Sequence, residues 1–185
     1  METLTYIKNF FRDKNIGSIT PTSMFGIKRL ASHVDFQTAR TIVEYGPATG
    51  VISKYFLKQM APDTRFVAFE TNKTFVDILQ REIIDPRFCV YNETAENVCE
   101  RLKDADIIVS GIPFSFFSLD LKRSIIENTY KALRPGGKFL VYQFFTTSKD
   151  PEKRLRRLLE ERFKSVEPEL ELLNVPPLRI YIAVK

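Results

Sequence analysis

Ile42-Val43-Glu44-Tyr45-Gly46-Pro47-Ala48-Thr49-Gly50 is the stretch on which the reading of this chain turns. It begins as a short apolar run, the pattern of a strand buried on both faces of a parallel sheet. It then breaks into a glycine turn, and an amphipathic run, Val51 to Met60, follows at once. Strand, glycine turn and helix in succession form the setting of a nucleotide-binding loop. Glycine lets the backbone turn tightly and approach a ligand closely, because there is no Cβ in the way. Glu44, just before the turn, is placed for a ligand's ammonium group. A second carboxylate, Glu70, ends the next apolar run, Arg65–Phe69. A carboxylate about twenty residues past the turn, at the tip of the second strand, binds ribose hydroxyls.

The alternation continues from there. Thr41–Tyr45, Arg65–Phe69, Phe88–Tyr91, Ala105–Ser110 and Lys138–Phe144 read as strands. Helical patterns lie between them at Val51–Met60, Thr74–Ile84, Asp120–Leu133 and Pro151–Arg162, with a short helix within Glu93–Leu102. Such alternation implies right-handed βαβ units and a parallel sheet. The end differs: Ser165–Leu172, a short loop through Asn174-Val175-Pro176-Pro177, then Arg179–Val184 predict an antiparallel hairpin. Ahead of the core, Leu4, Ile7, Phe10 and Phe11 share one helical face, with Lys8, Arg12 and Lys14 opposite or flanking it. That segment reads either as a helix packed on the domain or as one lying on an anionic membrane. Ser23 is placed to cap a second helix running to about His33.

A chain of 185 residues suits a single domain. The expected division is residues 1–40 as N-terminal helices with a substrate-capping loop, and 41–185 as the ligand-binding core. With 44% apolar and 28% charged residues the composition is that of a soluble globular protein. No apolar run reaches the ~18 residues of a membrane span, and Met1–Phe11 lacks the features of a signal peptide. Two cysteines, Cys89 and Cys99, provide neither a disulfide framework nor a metal set, so a reducing cytoplasm is expected. The single histidine, His33, excludes multi-histidine zinc chemistry and reads as an ordinary helix-end residue. Net charge is +5, which favours an acidic partner such as anionic lipid or nucleic acid. The basic run Lys153, Arg154, Arg156 and Arg157 reads as a solvated face over Leu155, Leu158 and Leu159.

The order of motifs separates a dinucleotide enzyme from another class. Glu44 to Gly50 has E-x-G-x-x-x-G spacing. The third strand ends Tyr91-Asn92-Glu93-Thr94-Ala95-Glu96, the fourth ends Val109-Ser110-Gly111-Ile112-Pro113-Phe114, and Leu133-Arg134-Pro135-Gly136-Gly137-Lys138-Phe139 carries a helix end into a new strand. Together with the terminal hairpin, this set resembles the class I S-adenosylmethionine (SAM)-dependent methyltransferases over residues 41 to 185. The resemblance implies an α/β, Rossmann-like sandwich whose mostly parallel seven-stranded sheet ends in an antiparallel hairpin, preceded by N-terminal helices. It implies SAM as cofactor and S-adenosylhomocysteine as product. Glu44 would favour the SAM amino group. Gly46, Pro47, Ala48, Thr49 and Gly50 would wrap the methionine part, with Ala48 where many relatives have glycine. Glu70 and Thr71 would lie at the ribose, Thr94 and Ala95 at the adenine, and Gly111 beside the cofactor. Gly136-Gly137 reads as a structural turn.

Two resemblances compete for the methyl acceptor. Amino-methylating nucleic-acid enzymes, including rRNA adenine dimethylases, have an Asn- or Asp-x-Pro-aromatic motif at the fourth strand's end, where the aromatic ring stacks on a flipped base. Pro113 and Phe114 fit, but Gly111 cannot supply the polar side chain. Bacterial phospholipid N-methyltransferases, which convert phosphatidylethanolamine toward phosphatidylcholine, match over nearly the whole chain. The matching pieces are the Phe10-Phe11 helix, the loop Gly17-Ser18-Ile19-Thr20-Pro21-Thr22-Ser23, Ser110–Pro113, Gln143-Phe144-Phe145-Thr146 with Pro151, and Asn174-Val175-Pro176-Pro177. This resemblance implies a phospholipid substrate and a peripheral site at the inner face of the membrane, without a metal. Tyr6, Ile112, Pro113 and Phe114 would lie nearest the transfer. Ser18, Thr20, Pro21, Phe114 and Arg179 would contact the substrate. Tyr6, Glu93 and Tyr142 are candidates for removing the amine proton. Adenine methylation of RNA and a non-catalytic SAM-binding adaptor stand as the other readings.

Overall fold

The computed structural model describes residues 22–144 and 149–185, the side chains of 149–153 excepted. The amphipathic helix expected near residues 4–14, the loop at 17–21, and Tyr6, Ser18, Thr20 and Pro21 lie outside that range, as do Phe145 and Thr146. The order of elements is α1 (Met24–Ala31), β1 (Thr41–Tyr45), α2 (Val51–Leu57), β2 (Arg65–Phe69), α3 (Lys73–Glu82) and β3 (Phe88–Tyr91). A single 3₁₀ turn (Ala95–Asn97) leads into α4 (Val98–Arg101) and β4 (Ala105–Ser110). A second such turn (Phe114–Phe116) precedes α5 (Leu119–Ala132), β5 (Leu133–Phe144), α6 (Lys149–Glu160), β6 (Ser165–Glu171) and β7 (Leu178–Val184).

The seven strands form one sheet in the order β3-β2-β1-β4-β5-β7-β6. The first five run parallel, and β7 pairs antiparallel with both β5 and β6. The expected mixed sheet with a terminal hairpin is what the chain forms. β5 starts at Leu133, ahead of the expected Lys138, because Leu133 already pairs with Ala105 across a register irregularity. Gly136 within it has φ +75°, and a Cβ on Gly137 would fall 2.8 Å from the Ala105 carbonyl oxygen. The pair is structural, as its place in the sequence suggests.

Alternating side chains divide the core between the two sheet faces. On one face Ile42, Phe66, Ala68, Ile107, Val109 and Leu140 meet Ile27 and Leu30 of α1, Ile52 and Phe56 of α2, and Leu79 of α3. On the other, Val43, Tyr45, Val67, Ile108, Phe139 and Val141 meet Ile125 and Ile126 of α5 and Leu155 and Leu159 of α6. Helices start where side chains satisfy the first free amides. Ser23 accepts from Gly26 N at α1, Asn72 from Thr74 N at α3, and Ser118 from Leu121 N at α5. His33 ends its helix segment 3.0 Å from Glu169 on β6.

Two further ties fix the sheet, one at each end. Asp106 accepts from the amides of Arg40 (2.7 Å) and Thr41 (2.9 Å) and from the Arg134 guanidinium (2.6 Å), pinning the start of β1 against β4. Asn174, almost fully buried, accepts from Ser23 N at 2.7 Å and donates to Pro176 O at 2.6 Å. The Asn-x-Pro-Pro segment thus fastens the start of α1 to the β6–β7 hairpin. A Cβ on Gly26 would fall 2.7 Å from Leu178 Cδ1 and 3.0 Å from Asn174 Oδ1, so glycine gives this approach its room. Among the described residues no helix is long and apolar enough to cross a membrane.

Candidate active site

The strand order reverses between β1 and β4, and open α/β sheets bind ligands at the carboxyl ends of strands at such a point. Here the ladder continues past the strand ends. Gly46 N donates to Phe69 O (2.9 Å), Gly111 N to Tyr45 O (3.1 Å) and Glu70 N to Tyr91 O (3.0 Å). The glycine turn, Glu70 and Gly111 are therefore side by side. Gly46 has φ +68° and Gly50 φ +78°, the left-handed region in which glycine carries no Cβ penalty. Their missing side chains also make room: a Cβ on Gly46 would lie 2.9 Å from Ile112, and one on Gly50 2.6 Å from Leu79. Ala48 adopts φ +50° without that freedom, so the turn stores about 1 kcal/mol of strain there.

Glu44 is buried on β1, and its carboxylate accepts from Ser53 Oγ of α2 at 2.5 Å. Burial pushes its pKa up from 4.5 to about 7; the Ser53 hydroxyl opposes this and the Glu70 charge adds to it. No cation among the described residues reaches it. A buried carboxylate is ordinarily paired, and one left without a cation beside a glycine turn suits a ligand's ammonium group. Glu70 is also buried, and burial raises its pKa against the opposing bonds of its backbone neighbours. Its oxygens accept from Asn72 N (2.8 Å) and Ala48 N (3.2 Å). It thus braces the turn as well, yet a carboxylate has about four acceptor positions and retains some for hydroxyls. Asn92, not singled out from the sequence, donates to Glu70 O at 2.9 Å and holds the tips of β2 and β3 together. The residues present therefore fit an ammonium-bearing nucleoside ligand such as SAM.

The remaining candidates fall around this centre. Thr49 and Thr71 are exposed at the two loops and Pro47 is buried. The Thr94 hydroxyl accepts from Glu96 N at 3.4 Å and caps the short turn that follows. Ala95 turns its side chain into the core, and its carbonyl accepts from Val98 N. Ile112 and Pro113 are half-buried beyond β4. Arg179 lies on β7 opposite Gln143 of β5, at the same end of the sheet. Phe114 departs from expectation. Its ring is fully buried, 5.8 Å from the Phe117 ring, so it is core and offers no free face for a stacked base or head group. Glu93 pairs with Arg101, which holds its pKa low and makes it a poor proton acceptor. Burial, with the charge of Glu44, raises the Tyr142 pKa, so its phenol stays protonated and is not the base either.

Two buried polar atoms lack a partner among the described residues, Ser110 Oγ and Gln143 Nε2, at the ends of β4 and β5. A shallow basic hollow lined by Lys103, Lys131, Arg162 and Lys185 lies at the other end of the sheet. Arg162 and Lys131 are engaged by Glu127, and Lys185 by Leu133 O, so their charges are already answered. No group of three or more His, Cys, Asp or Glu among the described residues is arranged to hold a metal ion.

The comparisons agree with this geometry. The chain is 26% identical over 190 residues to the ornithine lipid N-methyltransferase of Singulisphaera acidiphila, covering 95% of this chain and 92% of that one. The precorrin-6y C5,15-methyltransferase of Geobacter metallireducens superposes with a TM-score of 0.74 at 16% identity, over 91% of this chain and 92% of its own. The 1,6-didemethyltoxoflavin-N1-methyltransferase of Burkholderia thailandensis, solved with S-adenosylhomocysteine, gives 0.74 at 14% identity, over 99% and 86%. At such identities the structures speak for the fold. Residues 24–170 match the family described as Methyltransferase small domain. The chain belongs to that family and is a class I SAM-dependent methyltransferase, an enzyme whose cofactor is SAM.

Proposed function

We propose that the protein is an N-methyltransferase acting on a lipid that carries a primary amine, at a membrane surface on the cytoplasmic side. Phosphatidylethanolamine is the form favoured by the motifs at the two ends of the chain; an ornithine lipid is the form given by its relative's name. The observation that carries the reading is the rim of the catalytic end. At the tip of the β6–β7 hairpin Leu172, Leu173 and Val175 are 69%, 64% and 75% exposed, and Met24 and Phe25 of α1 are 50% and 54% exposed. The Asn174–Ser23 bond sets the two segments side by side. Large apolar residues gathered in this way mark an interaction surface, and a bilayer holding the acceptor is the partner that suits a catalytic mouth.

Bound SAM supplies a methyl on a cationic sulfur; as the N–C bond forms the S–C bond breaks, its electron pair stays on sulfur, and a proton leaves the nitrogen. The protein's part is binding and orientation. Glu44 takes the ligand ammonium. The backbone of Gly46, Pro47, Ala48, Thr49 and Gly50 follows the methionine part. Glu70, with Thr71, takes the ribose, and Thr94 and Ala95 the adenine. Gly111, Ile112 and Pro113 border the transferred methyl, and Arg179 faces the lipid head group. Residues 1–40 belong to the same domain as this core.

The test is a panel with methyl-labelled SAM: vesicles of phosphatidylethanolamine with phosphatidylglycerol, vesicles with an ornithine lipid, and ribosomal RNA. Label in either aminolipid supports the reading, and the two vesicle arms choose the head group. Label in RNA with none in lipid would overturn it.

A further inference from the structure

The glycine at 111 and the tyrosine at 142 are a matched pair. Tyr142 stands on β5, and its ring crosses the end of β4. A Cβ added to Gly111 would lie 2.2 Å from the phenol oxygen, 2.6 Å from Cζ and 3.2 Å from Cε1. Those contacts exclude any side chain at 111 while the tyrosine is in place. What reads in the sequence as a missing polar residue is therefore a space filled from the neighbouring strand. Tyr142 is half-buried, and Thr22, just ahead of α1, has its side chain toward the hydroxyl. Gly111 N bonds Tyr45 O, so the phenol oxygen beside Gly111 stands next to the glycine turn that follows β1. A neutral hydroxyl offers one donor and two acceptor positions, so it can receive an N–H while remaining protonated.

We propose that the Tyr142 hydroxyl is the group that holds the acceptor amine, receiving one of its N–H bonds in place of the side chain Gly111 lacks. The proposal rests on the aminolipid reading above and extends it to a residue. An N–H given to Tyr142 turns the nitrogen so that its lone pair is free to face the transferred methyl. The arrangement has a built-in count. A neutral primary amine has two N–H bonds, a monomethylamine one, and a dimethylamine none. Tyr142 can therefore orient the first two acceptors and cannot orient the third.

The experiment uses Tyr142→Phe in the full chain, which keeps the ring and removes only the hydroxyl. Vesicles carry phosphatidylethanolamine, its N-monomethyl form or its N,N-dimethyl form, and each is assayed at saturating SAM. The expected result is a roughly tenfold lower kcat/KM on the first two lipids, the scale of one lost hydrogen bond. The rate on the dimethyl lipid and the affinity for S-adenosylhomocysteine by calorimetry should be unchanged. Thr22→Val, which removes the hydroxyl group nearest the phenol on the α1 side, should show a smaller loss with the same dependence on N–H count. An equal loss on all three lipids, or a loss of S-adenosylhomocysteine affinity, would overturn the proposal by placing Tyr142 in the fold or the cofactor pocket. An active wild type with an unaffected Tyr142→Phe would overturn it alone. A wild type that methylates no aminolipid would overturn the substrate reading and this inference with it.

Discussion

Glu44→Gln should stabilise the ligand-free protein and weaken its grip on the cofactor. In the folded chain burial raises the Glu44 pKa from 4.5 to about 7. A carboxyl raised in this way binds its proton more tightly folded than unfolded. Its contribution is fully present below about pH 4.5 and is lost as pH rises through about 7. That rise corresponds to about 3 kcal/mol at 1.36 kcal/mol per tenfold change in proton affinity. Glutamine has nearly the same shape, still accepts from Ser53, and does not titrate. Denaturant unfolding of both proteins at pH 5 and pH 8, without ligand, isolates the effect, since other titrating groups largely cancel in the difference. The variant should gain on the wild type by up to about 3 kcal/mol between the two pH values. Calorimetry with S-adenosylhomocysteine should show the reverse. At pH 8 the variant loses a charge-assisted bond to the ligand ammonium, worth about 2 kcal/mol or about 30-fold in affinity. Wild-type affinity should fall as pH drops below 7, because the ligand then meets a protonated carboxyl, and the variant should lack that dependence. A stability difference independent of pH, or a variant that binds as well as the wild type, would refute the reasoning.

Other consequences can be measured directly. Ala48→Gly relieves the left-handed strain at φ +50° and should stabilise the protein by about 1 kcal/mol in urea unfolding. Asp106→Ala leaves the Arg40 and Thr41 amides and the Arg134 guanidinium without their acceptor, and should cost about 3 kcal/mol. Burial opposes ionisation of Asp106, but Arg134 and the two amides outweigh it and lower the pKa, so this stabilisation disappears as pH falls below the usual carboxylate range. Replacing Leu172 and Leu173 by serine should reduce sedimentation with vesicles and transfer to vesicle-borne lipid while S-adenosylhomocysteine affinity stays the same. Equal vesicle binding would remove the hairpin tip from the interaction surface.

The site joins opposing demands. Glu44 destabilises the ligand-free chain at neutral pH, and the positive φ of Ala48 adds strain to the same turn. Both lie where the β1–β4 switch point brings backbone amides together, and both are tolerated because two packed core layers hold the strands on either side. Strain and an unpaired charge persist at functional sites when the surrounding packing over-determines the geometry.

By itself the sequence determined the βαβ alternation, the strands Thr41–Tyr45, Arg65–Phe69, Phe88–Tyr91 and Ala105–Ser110, and the terminal hairpin. These depend on local signals: apolar runs of strand length, capping residues, and glycine where the chain turns with positive φ. The placing of Glu44 near the end of β1 and of Glu70 just past β2 was legible for the same reason, since each closes or nearly closes an apolar run of strand length. Only the tertiary structure decided what crosses between strands. It buried Phe114, which the family resemblance put at the acceptor, because the turn after β4 folds its ring against Phe117. It joined Asn174 to Ser23, 151 residues apart in the chain. It also set Tyr142 over Gly111, so that a position empty in the sequence is filled in space. Such contacts depend on strand order and on the reach of long side chains across neighbouring strands, and neither is written in the spacing of nearby residues.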